Sequence, residues 1–411
     1  MELTKRELRN NITLRYIDAL VYRFGLGIVP LATTVSFFIS KVIDSKILLG
    51  IFIALATAAI HIPQVIMGKR VREDENVDKS YIFYLILTVI SYFLLGICIW
   101  YVNDYTTMVI LFYILYMINQ FLRGICIMHN VTLTGDMVPR GMLGKYYGYM
   151  NMFGNIGDVV GAVAIAYFII NPFPFPKRYA FLFFIMTLCS VLSLAIIMKV
   201  KFVVNREQSE HQHISYKEYF NQMKKIFTHD KEFLKFNISK IFANFGTAIY
   251  AFLIIIAKDK IGISLGEIVI INIIMFAGEA LFSIIWGYIN TYYEWEYSYV
   301  ICRVIYVVNL LLLLFFLNKT IVYIVYFLYG IAISGINATQ EKAIIDMGGK
   351  NKTMYLAIFE MVVVPSLVAS MILMSVLLEF LGYTNSIIIS AVLILLAVII
   401  SVWPVKEKGE I

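Results

Sequence analysis

Twelve apolar runs decide what this chain can fold into, because each is long enough to cross a bilayer as a helix. A spanning helix needs about 20 consecutive apolar residues. The runs fall at about 16–39, 47–68, 81–101, 107–133, 147–170, 179–199, 236–257, 266–289, 299–317, 320–340, 353–378 and 384–403. They are continuous and do not alternate, which argues against a β-barrel. Of the 411 residues 61% are hydrophobic and only 15% are charged, where a soluble chain carries about 25% charged residues. A soluble enzyme, a nucleic-acid-binding protein and a disordered chain are therefore set aside. The expected fold is an all-α membrane protein of twelve transmembrane helices in two six-helix halves.

Basic residues set the orientation. Lys5, Arg6, Arg9 and Arg15 precede the first run in the manner of a signal peptide. The run is too long for one and has no clear small-residue cleavage site, so it reads as an uncleaved span. With the start of the chain inside, 23 of the 34 Lys and Arg residues fall on the inner side and seven on the outer. Both termini are expected in the cytoplasm, with a bacterial inner (plasma) membrane as the setting. The net charge of +7 is then an orientation signal, and no nucleic-acid partner is expected. Cys98, Cys126, Cys189 and Cys302 lie far apart inside apolar runs without metal-ligand spacing, and read as small core residues. The 28 tyrosines are discounted as a functional signal, since AT-rich codon bias explains part of them.

The layout divides into residues 1–200, a basic linker at 201–235 and residues 236–411. In the linker Tyr216, Tyr219, Phe220, Met223, Ile226 and Phe227 recur at helical spacing, with Lys217, Lys224 and Lys225 on other faces. This predicts an amphipathic helix on the cytoplasmic membrane surface. The halves echo one another. Span four has Gly124 then Asn130, span ten Gly330 then Asn337, and spans two and eight end near Gly68 and Gly287. Duplicated halves are a common transporter plan.

On these features the chain resembles the major facilitator superfamily over roughly residues 12–403. The best local match is Asp136-Met137-Val138-Pro139, followed by Gly144 to Gly148. The family's loop after span two usually opens with glycine and carries an aspartate four residues on. Gly68 stands here, but Arg72 takes the aspartate's place before Glu73, Asp74 and Glu75; Gly287 is followed at that distance by Thr291. Drug antiporters of the family often show Arg-x-x-Gln-Gly in span four, where this chain has Gln120-Phe121-Leu122-Arg123-Gly124, and Gly-x-x-x-Gly-Pro in span five, where Gly157 and Gly161 match but Ala162 replaces proline and Asp158 intrudes.

Ionisable groups inside a bilayer are costly and normally face a cavity or a partner. Arg23, His61, Arg123, His129, Asp158, Lys240, Glu279 and Glu360 fall well inside spans, with Arg303 near the inner end of span nine. Spans three, six and twelve carry none, which suits the lipid-facing third helix of each triplet that the resemblance implies. Arg303 and Lys240 are read as snorkelling. Arg123 and Asp158 each lie 11 residues from the inner end of their spans, about 16 Å deep. Consecutive helices are usually neighbours, so the two are predicted to pair, as a structural clamp, a proton-coupling site or a holder of an anionic group. Glu279, in an apolar setting, is the best lone protonatable carboxylate. Asn119, Gln120, Asn130, Asn244, Asn337 and Gln340 add neutral donors and acceptors. Gly68, Asp136, Arg140 and Gly287 are assigned to an inner gate, and the glycines of span five to tight packing.

The resemblance implies a secondary active transporter, not an enzyme. It would move a small solute by alternating access, coupled to protons, without cofactor or metal, as a monomer among membrane lipids. A lipid flippase of the same fold, a drug antiporter and a nontransporting receptor or scaffold are the alternatives.

Overall fold

A computed structural model describes residues 4–35, 38–39, 42, 46–170, 173–202, 215–263 and 265–403, among which no strand occurs. The helices are α1 (Lys5–Ile28), α2 (Lys46–Ile66), α3 (Gly68–Glu73), α4 (Val77–Tyr101), α5 (Tyr105–Met137), α6 (Leu143–Ile170), α7 (Lys177–Ile197), α8 (Tyr216–His229), α9 (Lys231–Thr247), α10 (Leu253–Ile261), α11 (Leu265–Tyr292), α12 (Trp295–Phe315), α13 (Lys319–Gly348) and α14 (Lys352–Val402). Among the described residues six stretches are long and apolar enough to cross a membrane. The last, Lys319–Val402, runs through predicted spans ten to twelve.

The chain forms two compact units. One comprises 1–140 and 149–212, the other 141–148 and 213–411. In the first, α1 packs on α7, α4 on α5 and α7, and α2 on α5. α1 starts well before the predicted span, for a local reason. Thr4 caps it, accepting from the Glu7 amide at 3.3 Å, while the Glu7 carboxylate accepts from the Thr4 amide at 3.0 Å. This capping box satisfies two free amides at once. The helix ends at Ile28, ahead of Pro30, and the remainder of the predicted span lies partly outside the described residues. Lys201 ties the far end of the unit back to this start. Its backbone exchanges hydrogen bonds with the Asn11 side chain at 2.7 and 3.1 Å, and its ammonium holds the Glu7 carboxyl down at about 2. An aromatic core of Phe38, Phe52, Phe112, Tyr116, Tyr179 and Phe183 fills the space between helices.

In the second unit α9 packs on α14, α11 on α13, and α12 on α13 and α14. Predicted span seven is not one helix. α9 stops at Thr247, a tight turn follows at Ala248–Ala251, and α10 resumes at Leu253. Spans eleven and twelve meet inside α14 at Gly382, whose φ of +74° lies in the left-handed region that suits glycine. The amphipathic helix of the linker is α8; residues 203–214 of the linker lie outside the described residues. Ser215 caps it, Tyr219 and Met223 are buried, and Tyr216 and Phe220 stay exposed.

Arg303 corrects the snorkelling expectation. It is fully buried on α12, donates to the Ser239 carbonyl at 2.9 Å and lies 3.9 Å from the centre of the Tyr299 ring. Arg303 is placed by contact with α9 and not by reach to the surface. Among the described residues its Nε and Nη2 make no well-formed hydrogen bond, and buried donors left unpaired cost stability. Arg303→Met is therefore expected to melt no lower than the wild type in detergent. A clear loss would mean that the guanidinium serves a purpose beyond packing. The four cysteines are all buried and in no disulfide.

Candidate functional site

The ion pair predicted between Arg123 and Asp158 is not formed. Asp158 pairs instead with Arg23 of α1. Arg23 Nε donates to Asp158 Oδ2 at 2.7 Å, and Nη2 reaches both that oxygen and Asn155 Oδ1, the latter at 3.2 Å. Glycines explain the partner. A Cβ on Gly157 would come within 2.5 Å of the Leu20 carbonyl, one on Gly27 within 2.6 Å of the Asp158 carbonyl, and one on Gly161 would collide with the Phe24 carbonyl. The backbones of α1 and α6 therefore touch, and Asp158 faces Arg23. Counting depth from the helix ends put Arg123 level with Asp158, but the glycine stripe turns that side of α6 to α1. The Arg23 side chain keeps 40% of its surface exposed, against 12% for Asp158.

Arg123 stands elsewhere in the same unit. It shares one face of α5 with Tyr116 and Gln120, donates to Gln120 Oε1 at 3.0 Å, and lies beside Tyr22, Tyr92 and Tyr116. Asn119 is fully buried and donates to Ser91 Oγ at 2.8 Å, joining α5 to α4. Asn130 accepts from Arg15.

That last contact belongs to a network that the sequence did not disclose. Arg15 and Asp18 are both buried and paired at 3.0 Å. Ser193 of α7 donates to the other Asp18 oxygen at 2.5 Å. His129 lies nearby, its Nδ1 at 2.9 Å from the Ile125 carbonyl and its ring stacked on Tyr81. The network joins α1, α5 and α7. Because α1 begins at Lys5, Arg15 is a mid-helix residue and not a flanking charge; the capping box at Thr4 was the available signal. Asp18→Ala strips a buried guanidinium of its carboxylate and should lower stability by about 3–5 kcal/mol, measurable as a drop in melting temperature.

In the second unit Glu279 is buried on α11 and held close to α13. Near it the rings of Tyr250, Tyr306 and Tyr329 pack together, with Tyr250 stacked on Tyr329 at 4.5 Å between ring centres. Tyr250 sits in the break of span seven and donates to the Tyr306 carbonyl at 3.1 Å. The backbone there tightens to a 3-10 turn but stays in the right-handed helical region. Asn244 donates to Ser366 Oγ at 2.8 Å and joins α9 to α14. Glu360 is buried near Lys240. His61 and Gln340 are half-buried, and Asn337 is exposed.

Of the assigned gate residues, Gly68 opens α3 and is buried, Asp136 is half-buried and Arg140 is exposed. Gly287 lies within the second unit, where a Cβ on it would come 2.8 Å from Gly148 Cα.

The Major Facilitator Superfamily model matches residues 236–410. No curated protein sequence matches the chain. Solved structures do. The human organic anion transporter MFSD10 (TETRAN) aligns with a TM-score of 0.75 at 9% identity, over 96% of this chain and 99% of that one. The E. coli fucose:proton symporter FucP gives 0.70 at 14%, over 96% and 97%. A bacterial homologue of the iron transporter ferroportin, in an outward-facing state with soaked iron, gives 0.69 at 11%, over 95% and 98%. At such identities the likeness is one of fold. The second half of the chain thus matches the Major Facilitator Superfamily model, and the chain as a whole shares the membrane-embedded helical fold of these transporters.

Proposed function

We propose that the protein moves a small solute across the membrane by alternating access, with Asp158 as a proton-coupling carboxylate released and recaptured by Arg23. The observation that carries this reading is the partial exposure of the pair. A purely structural clamp gains from being sealed, yet two-fifths of the Arg23 side chain is open. Intramembrane acids paired with a base that can be approached are the parts from which proton relays are built. The tight glycine contact between α1 and α6 keeps both groups in register. Glu279 is the corresponding candidate in the second unit, and Gly68, Asp136, Arg140 and Gly287 are assigned to the inner gate. A fucose:proton symporter among proteins of the same fold supports coupling by analogy. The partners on this reading are the solute, protons and the surrounding lipids, with the chain acting as a monomer.

The test is solute accumulation in proteoliposomes under an imposed proton gradient. Accumulation that collapses when a protonophore dissipates the gradient is the expected result. Accumulation indifferent to the protonophore would remove proton coupling and leave the transport reading standing.

A further inference from the structure

Arg123 is a charge at the middle of a spanning helix without a counter-charge among the described residues. It lies 14 residues before the end of α5 at Met137. It donates to the neutral Gln120, has the Tyr22 hydroxyl as a second neutral partner, and makes no ion pair with a described residue. Every other charge discussed for the interior of this unit is paired: Arg15 with Asp18, and Arg23 with Asp158. A guanidinium carries five donors in a rigid fork, so most of its capacity here is unspent. Arg123 as a residue is half-buried.

Its surroundings supply a second observation. Tyr92, on α4, is 2% exposed, and its hydroxyl makes no well-formed hydrogen bond among the described residues, with the Tyr22 hydroxyl as a polar neighbour beside Arg123. That hydroxyl lies beside the Arg123 guanidinium, with Tyr22 of α1 and Tyr116 of α5 next to it. A buried hydroxyl left unpaired is uncommon, because its desolvation is then uncompensated. Here a donor of that kind sits next to an uncompensated cation, between aromatic faces. The combination suits one chemistry. A carboxylate would accept from the fork and from the tyrosine hydroxyl, and the rings would bury an apolar body attached to it.

We infer that Arg123, Gln120 and the tyrosines Tyr22, Tyr92 and Tyr116 form a binding site for a small organic carboxylate with an aromatic or aliphatic body. This names the solute class and so rests on the transport reading above. It differs from the proton site in residues and in role, since Arg123 holds the solute while Asp158 with Arg23 handles the proton. A free carboxylate would replace the missing counter-charge. The resting site holds a cation that the solute neutralises, which favours anions over their neutral analogues.

The experiment measures binding without a gradient, so it is independent of transport. The purified full-length protein in nanodiscs is melted in the presence of benzoate, cinnamate or hexanoate, with the matching amides as neutral controls. Ligand-dependent stabilisation gives apparent affinities. At least one carboxylate is expected to stabilise the wild type, and its amide is not. Arg123→Gln should weaken that binding by about 10- to 100-fold, the scale of a lost charged hydrogen bond. Arg123→Lys keeps the charge but loses the fork and should fall between. Tyr92→Phe removes only the orphan hydroxyl, is isosteric and should fold; a several-fold loss of affinity is expected from it. Amides that bind as well as their acids, no carboxylate binding at all, or full affinity in both Arg123→Gln and Tyr92→Phe would each overturn the assignment. Carboxylate binding without uptake into proteoliposomes would leave the site standing and remove the transport reading. Uptake of a neutral solute without carboxylate binding would do the reverse.

Discussion

Asp158→Asn is expected to abolish gradient-driven accumulation in proteoliposomes while leaving counterflow exchange in place. The asparagine keeps the size of the side chain and can still accept from Arg23, so the contact between α1 and α6 survives. It cannot take up and release a proton. Moving one elementary charge through 100 mV is worth about 2.3 kcal/mol, which sustains a concentration ratio of about 50-fold. A variant that exchanges solute without the proton should relax that ratio to about one. Arg23 keeps its hydrogen bond to Asn155, so the variant is expected to fold. Exchanging the two charges, Arg23→Asp with Asp158→Arg, separates architecture from coupling. If the pair also holds the helices, the exchange should recover the melting temperature lost in Arg23→Asp alone, without restoring accumulation. Asp158→Asn that still accumulates solute to the wild-type ratio would show that the coupling proton travels elsewhere, with Glu279→Gln as the next variant to measure.

The fold was legible from two signals of different strength. The apolar runs located nearly every helix, because only a helix satisfies its own backbone in lipid. Their ends were less legible. Hydropathy sees the bilayer and not the cap, so it placed the first span at Tyr16, where Thr4 and Glu7 start the helix at Lys5. The break in span seven was invisible for a related reason: Ala248 to Phe252 contains neither glycine nor proline. What fixes it is tertiary, the packing of Tyr250 against Tyr306 and Tyr329.

The candidate site was legible in its members and not in its pairing. Depth along a helix follows from residue counting, so Arg123, Asp158 and Glu279 stood out as interior charges. Azimuth does not follow from counting. The face that α6 turns to α1 is set by where Gly154, Gly157 and Gly161 let two backbones meet, and those glycines were visible as packing residues without a stated partner. Tyrosines were passed over because their abundance has a compositional explanation, yet Tyr22, Tyr92, Tyr306 and Tyr329 lie next to the interior charges. An interior charge in a membrane protein needs polar neighbours with large apolar bodies, and tyrosine supplies both.

Gly124→Val should be among the most damaging single substitutions in the chain, and Gly330→Val should match it in the other unit. A Cβ on Gly124 would collide with the Ile60 carbonyl oxygen and lie 2.5 Å from Pro63 Cγ; one on Gly330 would collide with the Met275 carbonyl oxygen and lie 3.1 Å from the Glu279 amide. In both cases the obstacle is mostly backbone, which cannot rotate away as a side chain can. Without a hydrophobic effect between helices in lipid, close packing of small residues is what holds them. Each valine is therefore expected to cost about 3 kcal/mol or more, read as loss of monodisperse protein in detergent or as a large fall in melting temperature. Gly141→Ala is the control, since nothing lies within 4 Å of its Cβ, and it should melt like the wild type. The milder Gly330→Ala has a further use. Pushing α13 from α11 displaces the backbone that carries Glu279, so transport should fall more than stability does. Valine tolerated at Gly330 but not at Gly124 would show that the two glycines are not equivalent, and with them the argument for a duplicated six-helix unit would lose its best local support.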